Sequence, residues 1–270
     1  MLVGGLAFAG AAYFMLSKND SEQAPERKPL TDTNDVMQKF ATAHPNQENV
    51  DKYYDDIDSD TYDAFLIKVN FTDPYKLAPA IARPEPKQEV DARTGKRDFG
   101  FLNMPRDAKI FDIGQGTGIL GRLLNEEGFT NIDGADASQS YVDKANKTGW
   151  YRKCQLIWFG KGVDNLPKEM LGQYDLVMAS GVFMDGHIPP SGFDDAHALV
   201  KPGGYFITSM RRCYYEPGEE HGYREKLDEL EAAGKFKIVK TWEFMRGVKG
   251  AEDPIFEEMP SFMFVAKRLR

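Results

Sequence analysis

Between Lys109 and Gly118 the chain reads Lys-Ile-Phe-Asp-Ile-Gly-Gln-Gly-Thr-Gly, and this run narrows the choice of folds more than any other. An apolar strand ends beside an acid. Gly114, Gly116 and Gly118 then alternate with Gln115 and Thr117 before a helical pattern begins at about Ile119. The alternation predicts a tight strand-to-helix turn, because glycine reaches dihedrals closed to other residues and lets a ligand approach bare backbone. By itself such a turn serves nucleotides, flavins and nicotinamides alike. A dinucleotide fingerprint requires Gly-x-Gly-x-x-Gly, and the sixth position counted from Gly114 is Ile119.

Downstream of Pro105 strand patterns alternate with helical ones, the signature of a parallel sheet with crossover helices. Strands are expected near 108–113, 131–135, 154–159, 174–180, 203–210, 236–244 and 260–267. Helices fit near 118–127, 138–147, 164–171, 191–200 and 219–233. Gly128 is placed as a C-terminal stop and Ser138 as an N-cap. Lys201-Pro202-Gly203-Gly204 reads as a turn, and Asp175 as a residue that closes the turn into its own strand. No long helical pattern separates the last two strands, so they are expected to pair as an antiparallel hairpin at the sheet edge.

The 270 residues carry a net charge of −8, which disfavours nucleic-acid binding through a broad basic face. Two cysteines and four dispersed histidines offer no disulfide framework and no metal-ligand spacing. Residues 1–17 contain no charged side chain. As a helix they would reach roughly 25 Å, at the low end of what spans a ~30 Å hydrocarbon core. They read as a membrane anchor, the alternatives being a cleaved signal and a helix docked on a partner. Residues 18–33 read as a polar linker, 34–105 as a helical lid followed by a proline- and glycine-broken surface excursion, and 106–270 as the α/β domain.

A second carboxylate stands 24 positions after Asp112, where Asn-Ile-Asp-Gly-Ala-Asp-Ala-Ser (131–138) ends a strand at Asp136 and Ala137. That separation suits one βαβ unit, and a carboxylate is a good acceptor for two hydroxyls. Asp136 alone also fits a helix N-cap. Taken in order, Asp112 with its glycines, the 131–138 segment, Tyr174–Ser180, Leu199–Gly204 and the upstream Tyr53-Tyr54-Asp55-Asp56 with Tyr62-Asp63 resemble the class I S-adenosylmethionine-dependent methyltransferases. Ser180-Gly181-Val182-Phe183-Met184-Asp185-Gly186-His187-Ile188-Pro189 resembles the branch that includes the methyltransferase-like protein of the Williams–Beuren region. The resemblance covers about residues 50–267. It implies a Rossmann-like seven-stranded, mostly parallel sheet with an antiparallel edge strand and a helical N-terminal extension.

The same resemblance implies S-adenosylmethionine as cofactor. Asp112, Gly114, Gly116 and Gly118 would hold its methionine part, Asp136 its ribose, and Tyr54 and Tyr62 a lid, with Gln115 and Ala137 also among the cofactor-binding positions. Ser180 would stand beside the transferring methyl, although the three tyrosines at 53, 54 and 62 also read as packing residues. Two departures stand out. Gln115 occupies a place where small residues are common, and its amide could crowd the carboxylate end. The family's adenine-binding acid or amide, expected at about Gly162 or Val163, is missing there: either Asp164 serves, one or two positions late, or nothing does. The Asn-Pro-Pro-aromatic motif of amino-methylating enzymes is absent after the fourth strand. His187 reads either as a base at the substrate mouth or as a surface-loop histidine, and no catalytic residue is assigned.

An activated sulfonium methyl needs an acceptor held in line more than it needs acid–base residues. The expected activity is therefore methyl transfer to a small molecule, lipid or protein near a membrane. The alternative is a non-catalytic accessory subunit of a membrane complex, with the mitochondrial inner membrane and its respiratory assemblies as the case in point.

Overall fold

The computed structural model describes residues 29–46, 48–90, 95–249, 251 and 256–270. The anchor expected at 1–17 and most of the linker expected at 18–33 lie outside them. Among the described residues no helix is long and apolar enough to cross a membrane.

Seven strands form one sheet: β1 (Ile110–Ile113), β2 (Ile132–Asp136), β3 (Lys153–Leu156), β4 (Tyr174–Ser180), β5 (Val200–Arg211), β6 (Phe236–Arg246) and β7 (Met259–Arg268). Their spatial order is β3-β2-β1-β4-β5-β7-β6. The first five run parallel, and β7 runs antiparallel to both β5 and β6. The closing hairpin is therefore present, with its reversed strand inserted beside β5 and β6 left at the edge. Register aligns Ile113 with Ala135 on one side and Ala179 on the other. The carboxyl ends of β1, β2 and β4 are thus level, and β1/β4 is the point where chain order reverses.

Strand alternation sorts the core. Ile110, Leu176, Met178 and Ile207 face one layer, while Phe111, Val177, Ala179 and Phe206 face the other. The first layer is closed by α4 (Asp73–Ala82), α5 (Ile119–Glu126) and α6 (Gln139–Thr148). The second is closed by α7 (Gly192–Leu199) and α8 (Tyr223–Ala232). Leu77, Ala80 and Ile81 of α4 are fully buried against the sheet, so this helix belongs to the core although it falls inside 34–105. Ahead of it, α1 (Thr33–Thr42), α2 (Val50–Asp55) and α3 (Ser59–Lys68) gather a separate small core around Val36, Ile57, Phe65 and Phe256.

Local chemistry explains the boundaries. Ser138 Oγ accepts from the Tyr141 amide at 3.3 Å and caps α6. Asp58 caps α3 through the amides of Asp60 and Thr61. Asp175 accepts from the Lys109 amide at 2.8 Å and pairs with Lys201, tying the start of β4 to β1 and β5.

Three expectations are corrected. The third strand stops at Leu156, the Ile157 amide makes the last bond to β2 at the Asp136 carbonyl (3.1 Å), and Trp158 and Phe159 leave the ladder; all three line a cavity. No α-helix forms at 164–171, where Pro167, which lacks an N–H, separates two single 3₁₀ turns, Val163–Asn165 and Lys168–Met170. The fifth strand starts at Val200, and the Lys201–Gly204 turn survives as a bulge across which the partner register jumps from Tyr174/Val200 to Leu176/Tyr205.

Candidate functional site

A cavity opens at the carboxyl ends of β1, β2, β4 and β5 and is roofed by α2 and α3. It is lined by Tyr54, Tyr62, Asp112, Gly114, Gln115, Gly116, Asp136, Ala137 and Ser180, all expected from sequence. Two expected residues lie elsewhere. Gly118 caps α5 against the rings of Trp150 and Tyr151, and Asp164 is exposed on a 3₁₀ turn away from the cavity. The indole of Trp158 lines the wall near the end of β3, where the adenine-binding acid was sought.

Both carboxylates are fixed by the backbone that surrounds them. Asp136 accepts from the Gly116 amide at 2.9 Å with one oxygen and from the Ser138 amide at 2.9 Å with the other. It therefore holds the glycine turn as well as facing the cavity. Asp112 is 1% exposed and accepts from the Tyr151 hydroxyl at 2.7 Å. Burial, reinforced by the charge on Asp136, pushes its carboxyl up to about 7 despite that hydrogen bond. Tyr151 reaches Asp112 because Gly121 lets its ring cross α5, where any Cβ would stand 2.2 Å from the ring.

The turn is cut to leave space. Gly116 has φ +55°, and a Cβ there would meet nothing within 4 Å, so it would project into open cavity. A Cβ on Gly114 would come within 2.7 Å of Val182 in the loop after β4. The Gln115 side chain is 6% exposed and packs against Gly134 and Tyr151, its Nε2 donating to the Gly116 carbonyl at 3.3 Å. Its Oε1 has no partner.

The lid is tied down by three polar links. Tyr54 Oη lies 2.6 Å from His187 Nε2. Asp55 accepts from the hydroxyls of Ser138 and Ser140 at the start of α6. Asp63 accepts from the Thr117 hydroxyl of the glycine turn and pairs with Lys144 of α6 at 2.7 Å. Tyr62 stacks on Tyr141 with centroids 5.3 Å apart. His187 Nδ1 donates to the Asp185 carbonyl at 3.1 Å, which leaves Nε2 to accept from Tyr54. Burial lowers the His187 pKa to about 4, so the ring is neutral at pH 7. His187 lines the cavity, so the surface-loop reading is set aside.

Sequence reasoning missed Tyr141, Trp158 and Arg211, all lining the cavity. Tyr141 sits three residues after its cap, on the face of α6 turned to the sheet, a position that periodicity alone assigns to the core.

Fold and site together are those of the class I S-adenosylmethionine-dependent methyltransferase family. Residues 74–246 match the methyltransferase domain family, and the chain belongs to it. It is 29% identical over 138 residues to human Methyltransferase-like protein 27, covering 51% of this chain and 55% of that protein. It is also 29% identical over 105 residues to the ubiquinone biosynthesis O-methyltransferase of Bordetella avium (strain 197N), covering 38% and 43%. The chain thus spans about half the length of these curated relatives. Among solved structures, the geranyl diphosphate C-methyltransferase of Streptomyces coelicolor A3(2) superposes with TM-score 0.54 at 13% identity, over 84% of this chain and 99% of that one. A chain of the Haloferax volcanii complex of a methyltransferase with its Trm112 activator gives 0.50 at 16%, over 80% and 98%. At these identities the likeness concerns the fold.

The cofactor is S-adenosylmethionine, and the residues present suit it. Open space at Gly116 admits a ligand against bare backbone. The unpartnered Tyr141 hydroxyl and Ser180 Oγ are buried polar atoms of residues lining the cavity.

Proposed function

We propose that this chain transfers a methyl group from S-adenosylmethionine to a small acceptor with an apolar body. The observation that carries this reading is the continuity of one cavity from the Asp112–Asp136 end to walls built by Phe40, Phe65, Val69, Phe71, Ile188 and Phe256. When bound, the sulfonium supplies a methyl group that needs no further activation. Asp136 accepts hydrogen bonds from the ribose hydroxyls with the lone pairs its backbone donors leave free. Asp112 lies under the turn as a counter-charge for a cationic ligand. Tyr54 and Tyr62 close the roof and exclude water, and the acceptor is held in line at the end of β4. Tyr54, whose hydroxyl donates to the neutral imidazole of His187, keeps its oxygen lone pairs free to accept a hydrogen bond from the acceptor.

Calorimetric titration with S-adenosylmethionine and S-adenosylhomocysteine tests the reading. Micromolar binding is expected, and Asp136→Ala is expected to cost roughly 2–4 kcal/mol, more than tenfold in affinity. No heat and no thermal shift with either ligand would overturn the enzyme and favour the accessory-subunit reading.

A second proposal concerns location and rests on the uncharged run at 1–17. It tethers the chain to a membrane, the mitochondrial inner membrane in the accessory-subunit reading. Alkaline carbonate extraction of membranes is expected to leave the chain in the pellet, and its release into the supernatant removes the tether. Co-migration with a large complex on native gels would support the accessory role.

A further inference from the structure

We infer that Arg211 is the anchor for a carboxylate on an otherwise apolar acceptor. The inference rests on the methyl-transfer reading above and names the class of molecule that the second half of the cavity takes.

Arg211 is the last residue of β5, at the carboxyl edge of the sheet, and it lines the cavity. Two residues earlier, Ser209 ties β5 to the end of β4: its carbonyl and its Oγ accept from the Gly181 amide at 3.3 and 3.1 Å. Arg211 is thereby held beside the place where β4 presents Ser180. Its Nε is buried with no partner, and among the described residues its guanidinium makes no hydrogen bond or ion pair. A guanidinium stays charged at any physiological pH, and a buried charge without a partner is costly. Such a group is retained where a ligand completes it.

The surrounding charges give the valence of that ligand. Arg246, the other arginine of the lining, is already neutralised, since its Nε lies 3.0 Å from Asp73 Oδ1 and a second nitrogen pairs with Oδ2. His187 is neutral. Among the described residues the acids of the lining are Asp112 and Asp136, and both sit at the glycine-turn end. Among the described residues one uncompensated positive charge therefore faces the cavity, in a chain whose net charge is −8. The planar fork of a guanidinium matches the two oxygens of a carboxylate, and a single charge matches a monoanion better than a phosphate dianion. The remaining walls, Phe71, Val182, Met184, Ile188, Phe256 and Met259, suit an aliphatic or aromatic body.

The test titrates the full chain, saturated with S-adenosylhomocysteine, with octanoate, octan-1-ol and octyl phosphate. Octanoate is expected to bind at least tenfold tighter than octan-1-ol. Arg211→Gln should bring octanoate down to the alcohol's affinity with S-adenosylhomocysteine affinity changed less than twofold, and Arg211→Lys should retain part of the preference. Equal affinity of octanoate and octan-1-ol, no binding of any of the three, or an octanoate preference that survives Arg211→Gln overturns the inference. Octyl phosphate binding tenfold tighter than octanoate overturns the monoanion assignment. The wild-type comparison needs no variant to fold. The same titrations without S-adenosylhomocysteine separate the two proposals: a retained octanoate preference with no cofactor binding sinks methyl transfer and leaves the carboxylate site standing.

Discussion

The Tyr54 hydroxyl lies 2.6 Å from His187 Nε2, joining α2 of the lid to the loop after β4. The two residues stand 133 positions apart, so this contact exists only when the N-terminal helices sit on the finished sheet. With the Asp55 and Asp63 links it fastens α2 and α3 as a roof, with α1 packed against them through the small core. None of the three is long enough to be stable alone. The lid is therefore ordered by its polar ties and by the small aromatic core around Phe65.

Tyr54→Phe should keep the ring packing and remove the hydrogen bond to His187. A loss of about 0.5–1.5 kcal/mol in stability is expected, measured by urea unfolding. S-adenosylhomocysteine should also leave several-fold faster in stopped-flow displacement, because the roof opens more often. An unchanged off-rate would separate this contact from lid closure.

His187 should stay neutral across the working pH range, since burial lowers its pKa to about 4. Methyl-transfer rates should then show no limb attributable to this ring between pH 5.5 and 8. Its imidazole resonance, followed by NMR and assigned with His187→Gln, should titrate near pH 4. A midpoint near the ordinary histidine value would contradict the buried geometry.

Asp63 links the glycine turn to α6 through Thr117 and Lys144. Both ion-pair partners are partly exposed, so Asp63→Asn should cost under about 1 kcal/mol of global stability. Its main effect should be local: hydrogen exchange in residues 59–68 should quicken while β1 and β4 stay protected. Uniform protection across both regions would mean that the roof does not open independently.

How much of this was legible in the sequence depends on whether a pattern is local. The runs at β1 and β4 are apolar on both faces, which only a central parallel strand requires, and the glycine turn with Asp136 at one βαβ length placed the cofactor end. Ile157-Trp158-Phe159 prolonged a strand pattern falsely, because an apolar triplet looks the same in a ladder and in a cavity wall. Residues 164–171 contain good helix formers, yet Pro167 divides them. Arg211 carries no local mark at all. Its meaning comes from what is missing around it, and Asp73, which neutralises its neighbour Arg246, is 173 positions from that partner. Gln115 was expected to crowd the carboxylate end, but Gly134 on the neighbouring strand leaves room for its side chain to pack beneath the turn.

The Asp73–Arg246 pair joins α4 to β6 in a fully buried setting, with Asp73 at 0% exposure. Asp73→Ala strands a buried guanidinium and should cost about 3–5 kcal/mol, read as a lowered denaturation midpoint at unchanged slope. Asp73→Ala combined with Arg246→Met removes both charges and should recover most of that loss. A double variant as unstable as the single one would show that packing, not charge, dominates there.

Asp112 makes the stability of the chain sensitive to pH in a defined direction. Its carboxyl titrates at 3.8 when unperturbed and at about 7 in the fold, so the folded chain binds the extra proton. The stabilising contribution is fully present below pH 4 and is lost as pH rises towards 7, levelling off above it. Asp112→Asn removes this dependence while the amide oxygen can still accept from Tyr151. The variant should therefore gain in Tm relative to wild type as pH rises from 5 to 8. Binding of a cationic cofactor should run the other way, tightening as Asp112 ionises and releasing protons near pH 7 in calorimetry across buffers of different ionisation enthalpy. A Tm difference between Asp112→Asn and wild type that stays constant from pH 5 to 8 would mean that Asp112 is already ionised in the fold.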